Sequence, residues 1–298
     1  MNKHEQIIIV THDGGFHTDE VFACAALSMY YKDQPLDIIR SRDTRVIETA
    51  TYVVDVGGVY DSAGKRFDHH QIGGAGERDN GIPYASFGLI WKEFGSKLCG
   101  TEEIRDQIDL RLVCPIDAGD NGVELMAYTK PDVRPYLVHN VISKFIPTWR
   151  EETDVDEGFI EAVNLAMRIL EREIIHTRDA LDAKDKVMEA YMEAVDKRMI
   201  ILDDRYPAMH TLTELPEPLI MVAPRTDGKW KAETVVSVPG TFERRLHFPE
   251  SWAGLRDEEL IKVTGVSTAV FCHMHRFLAV AETRDDAIKL AQLALDQK

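Results

Sequence analysis

Apolar and polar positions in the first half of the chain alternate between short apolar runs and stretches with helical spacing. Ile7-Ile8-Ile9-Val10, Tyr52-Val53-Val54, Lys65-Arg66-Phe67 and Leu112-Val113-Cys114-Pro115-Ile116 read as strands. Between the first two, Thr18 or Asp19 is placed to cap a helix from Glu20 to about Tyr31. Ala85 to Phe94 predicts another, with Phe87, Ile90, Trp91 and Phe94 on one side. Strands joined by helices predict an α/β domain with a largely parallel sheet. Trp91 and Trp149 read as core anchors.

From Phe159 the apolar positions Ala162, Val163, Ala166, Met167 and Leu170 recur at helical spacing. Met188, Met192, Val195, Met199 and Leu202 then follow at steps of four and three, the seam of a helix laid against another element. That stretch predicts a helical connector, with a homodimer contact as the competing use. Leu219 to Ala223 and Trp230 to Val238 flank Thr226-Asp227-Gly228-Lys229, a hairpin signal. Val266 to His273 and Phe277 to Ala281 add two strands, and Asp285 to Leu295 a closing helix, giving a smaller α+β domain. At ~150 residues per domain the 298-residue chain accommodates two such bodies: residues 1–150, a connector at 151–205, and residues 206–298.

Charge narrows the function. Lys and Arg number 35 against 51 Asp and Glu, a net charge of −16, which disfavours broad adhesion to DNA or an anionic membrane. Any contact with nucleic acid must therefore be local. No run approaches the ~18 apolar residues of a membrane helix. Met1-Asn2-Lys3-His4-Glu5 leads into an apolar stretch too short for a secretory signal, so the expectation is a soluble, cytoplasmic chain. Cys24, Cys99, Cys114 and Cys272 are far apart with no C-x-x-C pair, and read as small buried hydrophobes.

The chemistry gathers where the runs end. Ile7 to Val10 leads into His12-Asp13-Gly14-Gly15-Phe16-His17-Thr18-Asp19; Val54 is followed by Asp55; Phe67 by Asp68-His69-His70; and Ile116 by Asp117-Ala118-Gly119-Asp120. A lone Asp after a strand is usually a turn or a helix cap. Four such clusters at the carboxyl ends of parallel strands should instead converge on one crevice. Mixed imidazole and carboxylate ligands suit manganese, zinc, iron or cobalt better than the all-oxygen ions. The donors exceed the needs of one ion. Two ions about 3.5–4 Å apart, sharing a carboxylate, would cleave phosphate esters by in-line attack of a metal-activated water. Gly73-Gly74-Ala75-Gly76 lacks the lysine and hydroxyl of a P-loop and reads as a loop at the mouth of the site.

Asp68-His69-His70, with His12, His17 and Asp19 upstream, Asp55 between and Asp117 downstream, resembles the motifs of the DHH phosphoesterase superfamily. Thr11 to Glu20, Phe242-Glu243-Arg244-Arg245-Leu246-His247-Phe248-Pro249 and Trp252 to Asp257 resemble, more narrowly, the melanocyte-proliferating-gene (Myg) family of metal-dependent 3′-to-5′ RNA exonucleases. The resemblance implies a DHH-type N-terminal domain holding two divalent ions, most often manganese, with magnesium, cobalt or zinc as substitutes. It implies that Asp55 bridges the ions, that Asp19, His69 and Asp117 complete one site, and that His12 and His17 serve the other. His70 would face the scissile phosphate, and Asp68 would hold a histidine tautomer. The superfamily usually carries an aspartate where His17 stands, which makes the second site here richer in nitrogen.

In the smaller domain Arg244 and Arg245 form the densest cationic cluster outside the helices, and guanidinium forks suit phosphate oxygens. His273 and His275 share a face if the strand there continues, and His273 and Arg276 join the arginines as substrate-binding candidates. The implied substrate is the 3′ end of RNA or a short oligonucleotide. A small-molecule phosphatase or pyrophosphatase on the same metal core, and a non-catalytic metal-binding regulatory protein, are the alternatives.

Overall fold

In the computed structural model, which describes residues 6–130, 132–238 and 240–297, the chain divides into two units, Met1–Thr177 and Arg178–Lys298. The opening Met1–Glu5 lies outside the described residues.

The first unit comprises β1 (Ile7–Thr11), α1 (Thr18–Tyr30), β2 (Leu36–Arg40), α2 (Thr44–Thr49), β3 (Tyr52–Val54), β4 (Tyr60–Asp61), β5 (Arg66–Phe67), α3 (Ser86–Cys99), α4 (Glu102–Ile108), α5 (Cys114–Asp120), α6 (Val138–Ile142) and the start of α7 (Val155–Glu193). Its sheet runs β2-β1-β3-β5-β4, parallel except for β4 at the edge, in keeping with the α/β expectation. The order sets β1, β3 and β5 side by side, so their carboxyl ends form one edge. Val10, Val53 and Val56 pack against Val46 and Ile47 of α2. Helix α1 packs against α3, where Phe22 meets Phe87 with ring centroids 5.3 Å apart. Trp91 is fully buried and its Nε1 donates to the Arg105 carbonyl at 3.1 Å.

Two local expectations fail in this unit. Leu112-Val113-Cys114-Pro115-Ile116 is helical: a π-helical turn, Asp109–Val113, runs directly into α5. Pro115 falls in the first turn of α5, directly after the π-helical turn, so its missing N–H coincides with the change in helical hydrogen bonding there. A short apolar run has no periodicity with which to tell a buried strand from a buried helix. Trp149 is no core anchor; it is 86% exposed. The sheet also holds β2, which was not anticipated because none of its five residues is fully buried and its apolar signal is weak.

The second unit contains the end of α7, β6 (Met199–Ile201), α8 (Met209–Glu214), β7 (Ile220–Pro224), β8 (Trp230–Thr234), α9 (Asp257–Thr264), β9 (Ala269–Cys272), β10 (Leu278–Ala281) and α10 (Arg284–Asp296). The sheet order is β6-β7-β8-β10-β9, with β6 parallel to β7 and the other pairs antiparallel. The hairpin between β7 and β8 closes at Asp227-Gly228, where Gly228 takes φ +81 and the Arg225 N–H donates to the Lys229 carbonyl at 2.8 Å. Leu290, Ala291 and Leu295 of α10 pack with Val222, Phe248 and Trp252 in one core cluster; Val187, Leu212, Met221 and Val235 form another.

The methionine seam does not exist as one helix. Helix α7 stops at Glu193, the Lys197 ammonium donates to the Tyr191 and Met192 carbonyls, and Met199 opens β6. Met192 and Val195 are exposed, and the buried residue of that turn is Val187. The steps of four and three therefore cross a helix-to-strand junction. His273 and His275 likewise share no strand, because β9 ends at Cys272 and a tight turn follows. In that turn Arg276 takes φ +57 and the His275 N–H donates to His273 Nδ1 at 3.0 Å. All four cysteines are free and buried. Among the described residues no helix is long and apolar enough to cross a membrane.

Replacing Trp91 with alanine removes the largest buried side chain of the α1–α3 packing together with its hydrogen bond to the Arg105 carbonyl. Destabilisation of about 3–5 kcal/mol is expected in equilibrium urea unfolding of the first unit's transition; a loss below ~1 kcal/mol would contradict this packing.

Candidate metal centre

Each strand of the β1-β3-β5 edge delivers one piece of the site. His12 follows β1, Asp55 follows β3, and Asp68-His69-His70 follows β5. Helix α1 begins above this edge and contributes His17, Asp19 and Glu20 from its cap and first turn, where the helix dipole favours carboxylates. Helix α5 adds Asp117 and Asp120.

Asp55 is the hub. Its backbone sits at φ +57, a left-handed conformation that non-glycine residues seldom adopt, and its N–H donates to the Phe67 carbonyl at 3.1 Å. That strained turn aims the carboxylate across the strand ends. Oδ1 accepts from Ser86 Oγ at 3.0 Å and lies 3.3 Å from His69 Nε2 and 3.4 Å from His70 Nδ1; Oδ2 lies 3.4 Å from His12 Nε2. His12 Nε2 is also 3.0 Å from Glu20 Oε1, and His69 Nε2 is 3.1 Å from Asp120 Oδ2.

Three overlapping groups have ligand atoms close enough to hold a metal ion: His12, His17, Glu20 and Asp55; Asp55, His69 and His70; and His17, Asp19 and Asp120. Within each group the atoms lie within 4.8 Å of one another, and Asp55 and His17 each belong to two groups. Asp19 supplies the test of fit. It is fully buried, and neither of its oxygens has a hydrogen-bond partner among the described residues. A bare buried carboxylate beside other acids is costly unless a cation meets it. Nitrogen and oxygen donors around it suit a borderline divalent ion.

The electrostatics agree. Burial pushes the Asp19 carboxyl well above the ordinary carboxylate range, and the neighbouring charges of Asp55, Glu20 and Asp120 push it further. Burial opposes protonation of His12, but hydrogen bonds to Asp55 and Glu20 outweigh it and bring its pKa to about 10. His69 likewise reaches about 10, with Asp120 and Asp55 overcoming desolvation. Burial raises Asp55, yet His12 and His69 hold it well below the usual range. Without an ion, protons on the imidazoles balance the acids.

Asp68 touches no other member of these groups but His70. Its Oδ1 accepts from the His70 N–H at 3.0 Å and lies 2.8 Å from His70 Nδ1, and its Oδ2 accepts from the Gly58 N–H at 2.5 Å. These bonds orient the His70 ring, whose side chain is 60% exposed. Asp117 belongs to none of the three groups. Its Oδ1 accepts from the Gly88 N–H at 3.0 Å, and Oδ2 lies 2.8 Å from Arg78 Nη1. Burial pushes Asp117 up to about 7 against the pull of Arg78. Arg78 in turn grips Asp109 through two bonds of 2.9 Å and covers the Tyr84 ring at 4.3 Å. Asp120, three residues on, is grouped with His17 and Asp19.

Sequence reasoning did not single out Glu20, and named Asp120 only as the end of the cluster that follows the fourth run. A helical reading of Cys114-Pro115-Ile116-Asp117-Ala118-Gly119-Asp120, from proline in its first turn and Asn121-Gly122 after its end, would have set the two acids near each other one turn apart. Arg78 carried no motif.

The second-unit candidates are engaged with their own fold. The Arg245 guanidinium donates to the carbonyls of Leu215, Thr213 and Pro218 at 2.5, 2.6 and 3.0 Å, closing the exposed end of α8. Arg244 donates to the Thr234 carbonyl at 2.5 Å and lies over Phe277 at 4.7 Å. Arg276 reaches the Phe248 carbonyl at 3.4 Å. His273 packs on Phe277 with ring centroids 4.3 Å apart.

The MYG1 exonuclease family model, described as an uncharacterised protein family (UPF0160), matches residues 8–295. The chain is 30% identical to a MYG1 protein of Schizosaccharomyces pombe, over 97% of each chain. It is 32% identical to a MYG1 exonuclease of Homo sapiens over 97% of this chain and 86% of that one. It is also 32% identical to a MYG1 protein of Dictyostelium discoideum over 98% and 97% of the two.

Two outcomes follow from the charges. Asp19 raised above its unfolded value, and His12 and His69 raised to about 10, all mean that the metal-free fold holds protons that the unfolded chain has lost. Its stability therefore falls as pH rises from weakly acidic through about 10, while metal binding, which displaces those protons, strengthens. The melting-temperature difference between manganese-loaded and chelator-treated protein is expected to widen from about pH 6 to about pH 9; a constant gap would refute the proton–metal exchange. Asp19→Asn removes the ionisable group that burial and the neighbouring acids penalise, so the chelated protein is expected to melt higher than wild type while the rise caused by manganese shrinks, both read by differential scanning fluorimetry.

Proposed function

Because the chain belongs to the MYG1 exonuclease family, we propose that it is a metal-dependent phosphodiester hydrolase that removes nucleotides from the 3′ end of RNA. The observation that carries the metal dependence is the buried Asp19 carboxylate with no partner, set among Asp55, Glu20 and Asp120. In this reading two divalent ions, manganese foremost, are held by His12, His17, Asp19, Glu20, Asp55, His69 and Asp120, with Asp55 shared. When bound, the ions supply an acidified water and positive charge opposite the phosphate oxygens.

The chain's own groups do the rest. His70 is turned by Asp68 so that Nδ1 is occupied, which leaves Nε2 to meet a phosphate oxygen. Asp68 is thus a positioning residue. Arg78 and Asp117 act one layer out: Asp117 ties Gly88 of α3 to α5, and so orients the helix that carries Asp120. The same core supports the DHH-type assignment, with the difference that Asp120 replaces Asp117 as donor. The arginines that the sequence nominated for substrate, Arg244 and Arg245, serve the second unit's fold in this reading, and His273 and Arg276 belong to its β9–β10 turn.

The test is release of mononucleotides from a 3′-labelled oligoribonucleotide in manganese, with inorganic pyrophosphate as a parallel substrate. Wild type is expected to shorten the RNA from its labelled end. Asp120→Asn and His69→Ala should abolish detectable turnover, and Asp68→Asn should lower kcat by about 10–100-fold with metal still bound. Phosphate release from pyrophosphate with intact RNA would overturn the reading.

A further inference from the structure

The segment between α5 and α7 takes no part in the metal centre, yet both of its ends are tied to that centre's rim. At one end Asp120 stands 3.1 Å from His69, and the chain turns out of α5 through the Val123 N–H, which donates to the Ala118 carbonyl at 2.7 Å. At the other end Asp156 pairs with Arg40 Nη1 at 2.7 Å. Arg40 Nη2 donates to the Gly14 carbonyl, within the loop that joins His12 to His17, and the guanidinium sits over Phe16 and Phe159. Midway, α6 packs against α1, with Ile142 buried. The segment is a strap pinned at three points.

What it presents to solvent is unusual for this chain. Trp149 is 86% exposed and Tyr136 67%, and Tyr128 is also exposed. Two of these rings carry an arginine against them: Arg150 lies 4.5 Å from the Trp149 centroid and Arg134 5.2 Å from that of Tyr128. Lys130, Arg134, Lys144 and Arg150 are interspersed with Glu124, Asp132, Glu151, Glu152 and Asp154, so the cations are local to the rings and the segment as a whole carries no positive excess. Exposed aromatic rings interleaved with cations are what stacked bases and a phosphate backbone require, and neither an apolar partner surface nor a small phosphate would use both.

We propose that this strap is the stacking platform that receives single-stranded RNA and leads its end to the metal centre, with Trp149 and Tyr128 stacking bases and Arg134 and Arg150 meeting phosphates. The proposal rests on the hydrolase reading for its direction, but its recognition chemistry is separable.

The test uses the full chain. Binding of a fluorescein-labelled oligouridylate of about ten nucleotides is measured in chelator, and its cleavage in manganese is compared with that of a dinucleotide. Trp149→Ala and Tyr128→Ala are each expected to raise Kd for the longer strand about ten-fold or more, and to lower the ratio of kcat/KM for the long strand to that for the dinucleotide by a similar factor. Trp149→Phe should restore most of the loss. Arg134→Ala with Arg150→Ala should flatten the salt dependence of binding by roughly one unit of slope per charge. A wild type that binds the strand through these residues yet releases no nucleotide would sink the hydrolase reading and leave the platform standing. An unchanged Kd and ratio in the alanine variants, or equal losses on the dinucleotide, would overturn the platform whatever the enzyme cleaves.

Discussion

The concentration of buried negative charge around Asp19 is the constraint from which the rest of the first unit follows. His17, Asp19 and Asp120 present ligand atoms within 4.8 Å of one another, and Asp55 and Glu20 add their fields to Asp19. At such a separation two like charges repel by about 3–4 kcal/mol even at an effective dielectric of 20. No folded chain keeps such a cluster for stability alone. Protonated imidazoles can balance it, which is the state reached by His12 and His69, but a divalent cation does so with better geometry and leaves the histidines neutral. A parallel sheet is well suited to assembling such a cluster. Its adjacent strand ends bring together residues separated by dozens of positions, and the first turn of α1 brings backbone N–H groups to the same place.

Around this cluster lies a layer of groups that hold the donors or the segments that carry them. Arg78 bridges Asp109 and Asp117, and Asp117 in turn holds the N-terminal turn of α3. Arg40, set against a pair of phenylalanines, fastens the loop between His12 and His17 to the start of α7. Ser86 steadies Asp55, and Asp68 steadies His70. Each of these contacts restrains a backbone segment on which a donor sits, so the geometry at the centre is set by groups beyond it.

Much of this was legible in the sequence, and what was not had identifiable causes. β1, β3 and β5 were readable because apolar runs ended in acids and histidines, so location and chemistry reinforced each other. The hairpin at Asp227-Gly228 was readable from local turn chemistry. α5 was misread because five apolar residues carry no period. β2 hid because an edge strand buries little. Arg245 looked like a phosphate ligand because sequence cannot say whether a guanidinium finds anions or the orphan carbonyls of a helix end. Trp149 looked like core because tryptophan usually is. In the last two cases residue type was informative about chemistry and silent about surroundings.

The backbone of Asp55 carries a further implication. Left-handed φ angles are tolerated best by glycine and next by asparagine and aspartate, so the turn after β3 selects among very few residue types on steric grounds alone. Asparagine would satisfy that turn as well as aspartate does, while bringing no charge. Conformation therefore gives no safeguard at the hub of the centre, and a descendant of this chain could drift to an inert, well-folded form through one change of amide for acid, with only the demand for turnover holding it back.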